Sequence, residues 1–396
     1  MITGDEVTPR SDATSSPVSR TAPILPRVIA WATVLFVLSM VAVRWDERTG
    51  FTSLLRFGEE YRDRRIPEVA ALPLADKPNR GYDGQFYGQM AVAGDVTDRS
   101  LHEALDNPGY RLRRVLLPAL AHLLGGGDAW RTLHIYAGIN VLAWLLACGL
   151  LWRIIDPVDL RGTAVWLGCM LGLGTLDSVR MALTDLPAVL LTLVAIDLAR
   201  RRRPRTAAGL LAVTALARET AVFSVAALDL RPWGDRASWK AHVVHGVIVA
   251  TPVFLLAAWL YGRVSGVDPL GRANFDWPGF AIAEHGMRWA GAIAAGDLDS
   301  RHLFGLIAIA SFSWQSVSIL RQWNAPSPWV RMALPFAVLF WVLGDAVWNG
   351  YWAVARACLP LTFAYNLTLP RDRSFAWRWI LGNVCLLHAI WRFLPE

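Results

Sequence analysis

The sequence predicts an all-α protein that crosses a membrane about ten times. Its 396 residues are 54% hydrophobic and 18% charged, and the mean hydropathy is +0.35. A soluble protein of this length usually carries about a quarter charged residues. Uncharged apolar runs recur along the chain, and their length is close to the roughly 20 residues that a membrane-spanning helix needs. We therefore expect a single transmembrane domain over residues 27–396, preceded by a disordered cytoplasmic tail over residues 1–26.

The placement of arginine predicts the topology. The net charge of +7 comes almost wholly from arginine, and basic residues concentrate in cytoplasmic loops. Arg20 precedes the first apolar run and Arg27 begins it, so we place the N-terminus in the cytoplasm. After this first crossing, we expect residues 45–111 to form a long extracytoplasmic loop. The arginine cluster at 200–205 is also assigned to the cytoplasm. The protein is then a multi-pass protein of the inner (cytoplasmic) membrane.

The remaining segments are assigned in order. One to three short helices are expected to lie at the membrane interface within the first loop. Residues 112–240 should supply the central core helices and residues 241–396 the C-terminal helices. The run 115–124 is too short to span and is assigned to a re-entrant or interfacial helix. The run 206–230 should form a helical hairpin. The last predicted crossings are 302–320, 329–346, 350–368 and 378–393.

A polar and aromatic segment, Tyr-Asp-Gly-Gln-Phe-Tyr at 82–87, interrupts this apolar pattern within the first loop. It resembles the (W/Y)DGxxY segment that follows the first helix in the GT-C superfamily of integral membrane glycosyltransferases, especially the mannosyltransferase-like branches. The Thr-Asp pair at 184–185 and the Arg-Glu pair at 218–219 also resemble features of bacterial members. The resemblance covers residues 27–230, and beyond residue 240 only the helical pattern supports it.

The resemblance implies a reaction and a set of partners. A sugar would move from a polyprenyl-phosphate donor to an acceptor on the extracytoplasmic side, and the acceptor would be a glycan, a lipid or a protein. Asp83 is the expected general base, and Asp185 and Glu219 are the other expected catalytic residues. The family resemblance allows a divalent cation as cofactor. Because the first loop has no Asp-x-Asp pair, the resemblance assigns no metal ligands. Membrane lipids are expected partners, and no nucleic-acid motif is present.

The predicted substrate-binding residues are Tyr82, Gln85, Tyr87, Arg111, Arg113, Arg114 and Arg218. Guanidinium groups pair with phosphate oxygens through two hydrogen bonds, so the arginine cluster at 111–114 suits a lipid-phosphate donor. The alternative is that this cluster only anchors lipid headgroups. For the tyrosines, Tyr87 and Tyr110, the alternative is an aromatic belt at the membrane interface.

The acidic candidates also have structural alternatives. An Asp-Gly pair is common in turns, and Asp83 could cap the helix that follows. Asp185 and Glu219 lie in apolar segments, where ionisable groups are costly unless they are paired or functional. A structural ion pair is therefore the alternative for both. Asp345 and Arg356 are expected to form a structural salt bridge late in the chain, and contact with the substrate is the alternative.

Two other classes of protein remain open. A secondary transporter or lipid flippase also needs intramembrane acids and broken helices, but it would show two related halves, and no internal repeat is visible. A non-catalytic protein of envelope assembly could keep the same fold without activity. The four cysteines fall inside apolar segments without metal-ligand spacing, so we expect them to be buried and unpaired.

Overall fold

The computed structural model describes residues 24–264 and 274–395. Within these ranges the chain is helical, and β-structure is limited to isolated bridges such as that between Gly58 and Lys77. The all-α prediction is therefore confirmed. The first helix, α1, spans Ile24–Ala42 and begins three residues before the predicted run. Most of the predicted disordered tail, over residues 1–23, lies outside the described residues.

Six short helices follow α1 and fold the first loop. Two are 3₁₀ helices, at Thr52–Leu55 and Glu59–Arg64. The four α-helices are α2 (Pro67–Ala70), α3 (Gly84–Ala93), α4 (Arg99–Ala104) and α5 (Pro108–Arg111). The prediction of one to three helices was therefore too low. Proline begins α2 and α5, where its missing N–H costs nothing.

The central part of the chain forms six α-helices and one 3₁₀ helix. The α-helices are α6 (Leu116–Gly125), α7 (Ala129–Ile155), α8 (Leu160–Met170), α9 (Leu173–Arg180), α10 (Asp185–Arg200) and α11 (Pro204–Ala215), and a 3₁₀ helix follows at Glu219–Leu228. The break between α11 and the 3₁₀ helix falls at residues 216–218, and the two helices pack against each other. This arrangement agrees with the predicted hairpin over 206–230.

The C-terminal part contributes nine further helices among the described residues. They are α12 (Arg236–Tyr261), α13 (Phe280–Ala294), α14 (Ser300–Leu320), α15 (Pro328–Val342), α16 (Asp345–Trp348), α17 (Tyr351–Ala357), α18 (Leu359–Leu367), α19 (Phe375–Asn383) and α20 (Leu386–Phe393). The predicted crossings 350–368 and 378–393 are thus each divided into two short helices. Pro360, in the first turn of α18, has no N–H to continue the hydrogen-bond ladder of α17.

Four helices of the described residues, α1, α7, α12 and α14, are long and apolar enough to cross a membrane. Helices α8 and α9 pass the same test together, but they are bent by 45° at their junction, which raises the number to five at most. These helices support a membrane-embedded protein. They do not reach the ten segments that we predicted, because apolar runs such as that of α15 form helices of only 15 residues.

Buried side chains join α7 to α8. The indole N–H of Trp144 donates to the carbonyl of Met170 at 3.0 Å, and that of Trp166 donates to the carbonyl of Cys148 at 3.1 Å. Both tryptophans are fully buried, and such a buried indole usually finds a hydrogen-bond partner. The four cysteines are free and buried, as predicted.

Helix α3 forms the centre of the first loop and is not an interfacial helix. Its residues 84–91 are all buried, and it packs against α6 and α7. The Gln85 side chain accepts a hydrogen bond from the amide of Gly58 at 3.0 Å and donates to the carbonyl of Arg80 at 2.7 Å. One turn later, Gln89 accepts from the amide of Ile66 at 3.0 Å. These glutamines tie the irregular parts of the loop to α3.

Gly84 allows α3 to begin against two backbone segments. A Cβ atom at this position would lie 2.3 Å from the carbonyl oxygen of Met181 and 2.9 Å from that of Leu55. Both atoms are backbone oxygens, so neither can turn away as the end of a flexible side chain could. The glycine of the Asp-Gly pair is therefore required by the close approach of α3 to the residue that follows α9.

We expect Gly84→Ala to lower the free energy of unfolding by about 1–3 kcal/mol, the usual cost of overpacking a core. Gly88→Ala, one turn later in α3, is the matched control, because its Cβ would meet side-chain atoms and no backbone, with Leu133 at 3.2 Å and Leu55 at 3.6 Å. That variant should stay within about 1 kcal/mol of the wild type, since alanine favours the helix. Denaturant unfolding in detergent measures both values. Equal stability of the two variants would contradict the proposed backbone contact.

Candidate functional site

Asp83 lies at the start of α3 and contacts arginines from two distant parts of the chain. It precedes the helix, but its side chain makes no capping hydrogen bond. Its Oδ1 accepts a hydrogen bond from Arg111 at 2.9 Å, and its Oδ2 accepts one from Arg356 at 3.3 Å. The capping alternative for Asp83 is therefore not what the structure shows. The carboxylate is held by cations instead.

Arg111 is buried between two carboxylates. Besides Asp83, it donates to both oxygens of Asp106, each at 2.8 Å, in a bidentate pair. Its guanidinium also lies over the ring of Phe86 at 5.0 Å. Its side chain is only 7% exposed. A headgroup anchor would leave the guanidinium at the surface, so the structure does not support that alternative for Arg111.

Arg114 joins the first loop to the hairpin. Its Nε and Nη2 donate to the two carboxylate oxygens of Glu219 at 2.8 and 2.7 Å. It also donates to the hydroxyl groups of Tyr87 at 2.8 Å and Tyr110 at 2.6 Å. Because four acceptor oxygens from three residues converge on a side chain that is 4% exposed, Arg114 organises this part of the site.

A third set of charges lies around the first residue of α10. Asp185 is 1% exposed and pairs with Arg218. Its other oxygen lies 3.6 Å from Arg356, which also donates to the hydroxyl of Tyr82 at 2.8 Å. Arg356 therefore connects Asp185 with Asp83. The hydroxyl of Tyr87, which accepts hydrogen bonds from both Arg111 and Arg114, links these charges to the Arg114–Glu219 pair.

Arg356 was not among the predicted site residues, although contact with the substrate was the alternative to its expected salt bridge. We expected it to pair with Asp345, and this prediction was wrong. Asp345 instead lies 2.9 Å from His285 and 3.6 Å from Arg288, both on α13. A signal was available, since an arginine within an apolar run is costly and tends to be functional or paired. Asp106 was missed as well, because the first loop contains many exposed carboxylates that look similar in sequence.

A cavity of about 480 Å³, here called the charged cavity, opens beside this network. Its polar lining includes Tyr82, Asp83, Tyr110, Arg111, Arg113, Arg114, Arg218, Glu219 and Arg356. Its apolar lining includes Phe223, Phe275, Leu339, Leu343 and Val347. Phe223 and Phe275 are 42% and 52% exposed. The cavity thus has a charged wall and an apolar wall that is open to the surroundings.

Arg113 contributes positive charge that no carboxylate offsets within the described parts of the chain. Its guanidinium lies over the ring of Tyr110 at 5.4 Å, and it forms none of the ion pairs found there. The other cavity arginines each have a carboxylate within 4.0 Å. The charged cavity therefore favours an anion, and Arg113 is the cation best placed to meet one.

The arginines change the proton affinity of Asp83. Burial disfavours the charged carboxylate, but the neighbouring guanidinium groups of Arg111 and Arg356 outweigh that effect and hold the pKa of Asp83 well below its usual range. The reciprocal effect raises the pKa of Arg111. Asp83 is therefore ionised at neutral pH.

Three predicted site residues do not line the charged cavity. Gln85 is 1% exposed, and its amide is used by the loop backbone. Tyr87 lies beneath Arg111 and Arg114 and accepts hydrogen bonds from both. Asp185 lies behind Arg218 and Arg356. We assign these residues to the support of the cavity wall.

Within residues 24–264 and 274–395, no group of three or more His, Cys, Asp or Glu side chains could hold a metal ion. The positive charge that faces the carboxylates in this region comes from arginine.

No match was found when the chain was compared with protein-family models, with curated proteins or with solved structures. A functional assignment therefore depends on the residues of the charged cavity and on their chemistry.

Proposed function

We propose that this chain is a membrane glycosyltransferase that moves a sugar from a polyprenyl-phosphate donor to an acceptor hydroxyl on the extracytoplasmic side. The observation that carries the proposal is the position of Asp83. Its carboxylate lines a cavity that is also lined by several guanidinium groups and by apolar side chains. An amphiphilic donor with a phosphate next to a hydrocarbon tail matches these two walls.

The donor phosphate is proposed to contact Arg113 and Arg218, with Arg356 beside them. Guanidinium groups can donate two parallel hydrogen bonds to phosphate oxygens. The prenyl chain leaves the cavity between Phe223 and Phe275, where the apolar wall is exposed. The sugar carbon that is attacked then lies near Asp83.

In the proposed reaction the acceptor oxygen attacks the anomeric carbon of the donor sugar. The bond from this carbon to the phosphate oxygen breaks, and its electron pair leaves with polyprenyl phosphate. Asp83 takes the proton of the acceptor hydroxyl, and the arginines stabilise the negative charge on the leaving phosphate. Attack from the face opposite the phosphate inverts the configuration of the anomeric carbon.

The low pKa of Asp83 makes it a weak base while the cavity is empty, because base strength in proton transfer follows pKa. Donor phosphate would compete with Asp83 for Arg356 and Arg111. Its negative charge would also disfavour the ionised carboxylate. Both effects raise the pKa of Asp83, so the base becomes stronger when the donor is bound.

The transporter and scaffold alternatives differ from this proposal in turnover. A flippase or an assembly protein with the same cavity would bind the lipid phosphate, but it would leave the sugar–phosphate bond intact. Purified protein incubated with a panel of radiolabelled polyprenyl-phosphate hexoses and pentoses separates these cases. Release of polyprenyl phosphate supports the transferase, and binding without release opposes it.

We expect Asp83→Asn to reduce sugar transfer by about 100- to 10,000-fold, the usual contribution of a general base. Asp106→Asn is the matched control. It also removes a carboxylate from Arg111, but Asp106 does not line the charged cavity.

The control should keep transfer within about tenfold of the wild type, because a residue outside the reacting centre has a smaller effect. Transfer is measured as label on the acceptor, with membrane extraction and thermal unfolding as checks on folding. Similar losses in both variants would show that only the arginine position matters, and the role of Asp83 as base would be rejected.

A second prediction concerns Arg113. We expect Arg113→Gln to raise KM for the polyprenyl-phosphate donor by about 10- to 100-fold, since a hydrogen bond to a charged group contributes about 1.5–3 kcal/mol. Arg99→Gln is the control, because Arg99 is 92% exposed and lies in the same loop. KM and kcat are measured separately for each variant. An unchanged KM in Arg113→Gln would exclude this arginine from the phosphate site.

A further inference from the structure

Another cavity, here called the arginine cavity, lies where the loop between α10 and α11 meets the end of the hairpin and the first part of α12. It has a volume of about 1020 Å³ and shares no lining residue with the charged cavity. Among the described residues, its wall contains one acidic side chain, that of Asp229. The basic side chains of the wall are Arg200, Arg202, Arg205, Arg231 and His245.

The charges of Asp229 and Arg231 offset each other. The Nε of Arg231 donates to the two carboxylate oxygens of Asp229 at 3.1 and 3.0 Å. Arg231 also lies 4.0 Å from Asp235, which does not line the cavity. Behind this wall, the buried Arg331 donates to the backbone carbonyl of Asp229 and, at 2.7 Å, to that of Arg231. These bonds hold the wall over residues 229–231 in place and put one more positive charge behind it.

The other three arginines of the wall have no carboxylate to offset them. Neither Arg200, Arg202 nor Arg205 has an acidic oxygen within 4.0 Å in the described ranges 24–264 and 274–395. The guanidinium of Arg200 lies over the ring of Trp329 at 5.9 Å, which is a contact with an uncharged group. The arginine cavity therefore has a surplus of positive charge that an anion would offset.

The two remaining arginines of the loop do not line the cavity. Arg201 is paired with Asp197 at 2.9 Å, and Asp197 is also held by Arg153 at 2.9 Å. Arg203 is exposed. The positive-inside rule requires only that arginines lie in a cytoplasmic loop. It does not explain why three of them surround a cavity and lack the carboxylate that Arg201 has.

His245 gives an independent indication of a ligand. It lines the cavity and is 8% exposed. Its Nδ1 is buried and forms no hydrogen bond with any described residue. Buried polar side chains normally have a partner. His245 is thus a polar group of the wall that the described chain does not satisfy, and a ligand oxygen in the cavity can bind the imidazole.

An exposed apolar stripe, here called the α12 stripe, continues from the cavity along α12. Ala241 and His245 line the cavity, and Val244 and Ile248 lie three residues further on, on the same side of the helix. Val244 is 56% exposed, Ile248 is 38% exposed, and Leu255, two turns later, is 66% exposed. Of the four candidate spans among the described residues, α12 is the least buried, with 17% of its apolar window inside the protein. In a membrane the stripe would meet acyl chains.

We propose that the arginine cavity binds the headgroup of an anionic phospholipid, and that the acyl chains of this lipid lie along the α12 stripe. The phosphate oxygens accept hydrogen bonds from Arg202 and Arg205, with Arg200 and His245 beside them. Basic pockets between membrane helices on the cytoplasmic side bind such headgroups, and the loop over 200–205 is predicted to be cytoplasmic. A free phosphate would leave the stripe unused. This inference does not depend on the proposed function.

The test measures lipid binding to the purified full chain in a neutral detergent by native mass spectrometry. The probe is phosphatidylglycerol, and phosphatidylcholine with the same acyl chains is the comparison. We expect phosphatidylglycerol to bind at least about tenfold more tightly, because each arginine near an anionic headgroup contributes about 1 kcal/mol. Equal affinity for the two lipids would overturn the proposal.

Variants locate the lipid to this cavity. Arg202→Gln/Arg205→Gln should lose about 10- to 100-fold in affinity for phosphatidylglycerol, because it removes two donors to the phosphate. Arg201→Gln/Arg203→Gln is the matched control, since it removes the same charge from the same loop but outside the cavity. The control should stay within about threefold of the wild type. Equal losses in the two double variants would mean that only the overall charge of the loop attracts the lipid, and the site would be rejected.

A soluble competitor separates the lipid from a free phosphate compound. Glycerol 3-phosphate carries a phosphate and a glycerol but no acyl chain. We expect it to leave phosphatidylglycerol bound when both are present at the same concentration, because it makes no contact with the α12 stripe. Displacement at an equal or lower concentration would identify a soluble phosphate compound as the occupant, and the lipid assignment would fail.

Discussion

The bidentate ion pair between Arg114 and Glu219 is the contact on which the candidate site depends. It connects the first loop to the turn of the hairpin, which lies 105 residues further along the chain. Both groups are largely removed from water, so neither charge is tolerable without the other. The hydroxyl groups of Tyr87 and Tyr110 accept hydrogen bonds from two more of the N–H groups of Arg114. The wall of the charged cavity is therefore held by charge compensation, in a protein whose other contacts are mostly apolar.

The same constraint explains why the site is a network and not a set of separate pairs. Asp83 and Asp185 both contact Arg356, while Asp83 and Asp106 both contact Arg111. Asp83, Arg111, Asp185 and Arg356 each have two charged neighbours, so removal of one leaves the others partly satisfied, which is not the case in the Arg114–Glu219 pair. Such a network could exchange one anion for another at moderate cost, as the proposed binding of a donor phosphate requires.

Part of this arrangement can be predicted from the sequence, and the rest cannot, for physical reasons. The helical class and the break near Arg218 follow from apolar periodicity and from the cost of charge in apolar segments. The grouping of Asp83, Arg114 and Glu219 in one predicted site came from the family resemblance. The number of membrane crossings cannot be predicted in this way, because the apolar runs of short or broken helices have the same composition as those of membrane-spanning helices. Arg356 could not be placed either. Its partner is 273 residues away, and only tertiary packing decides that it faces Asp83 and not the nearer Asp345.

The contact between Asp83 and Arg356 also has a consequence for biogenesis. Helix α17 is synthesised long after α3, so Asp83 and Asp185 are without this cation while the chain is still being inserted. The charged cavity is complete only when the late helices have packed against the early ones. Partly made chains then lack an organised cavity, and whatever this cavity binds can be bound only by the finished chain.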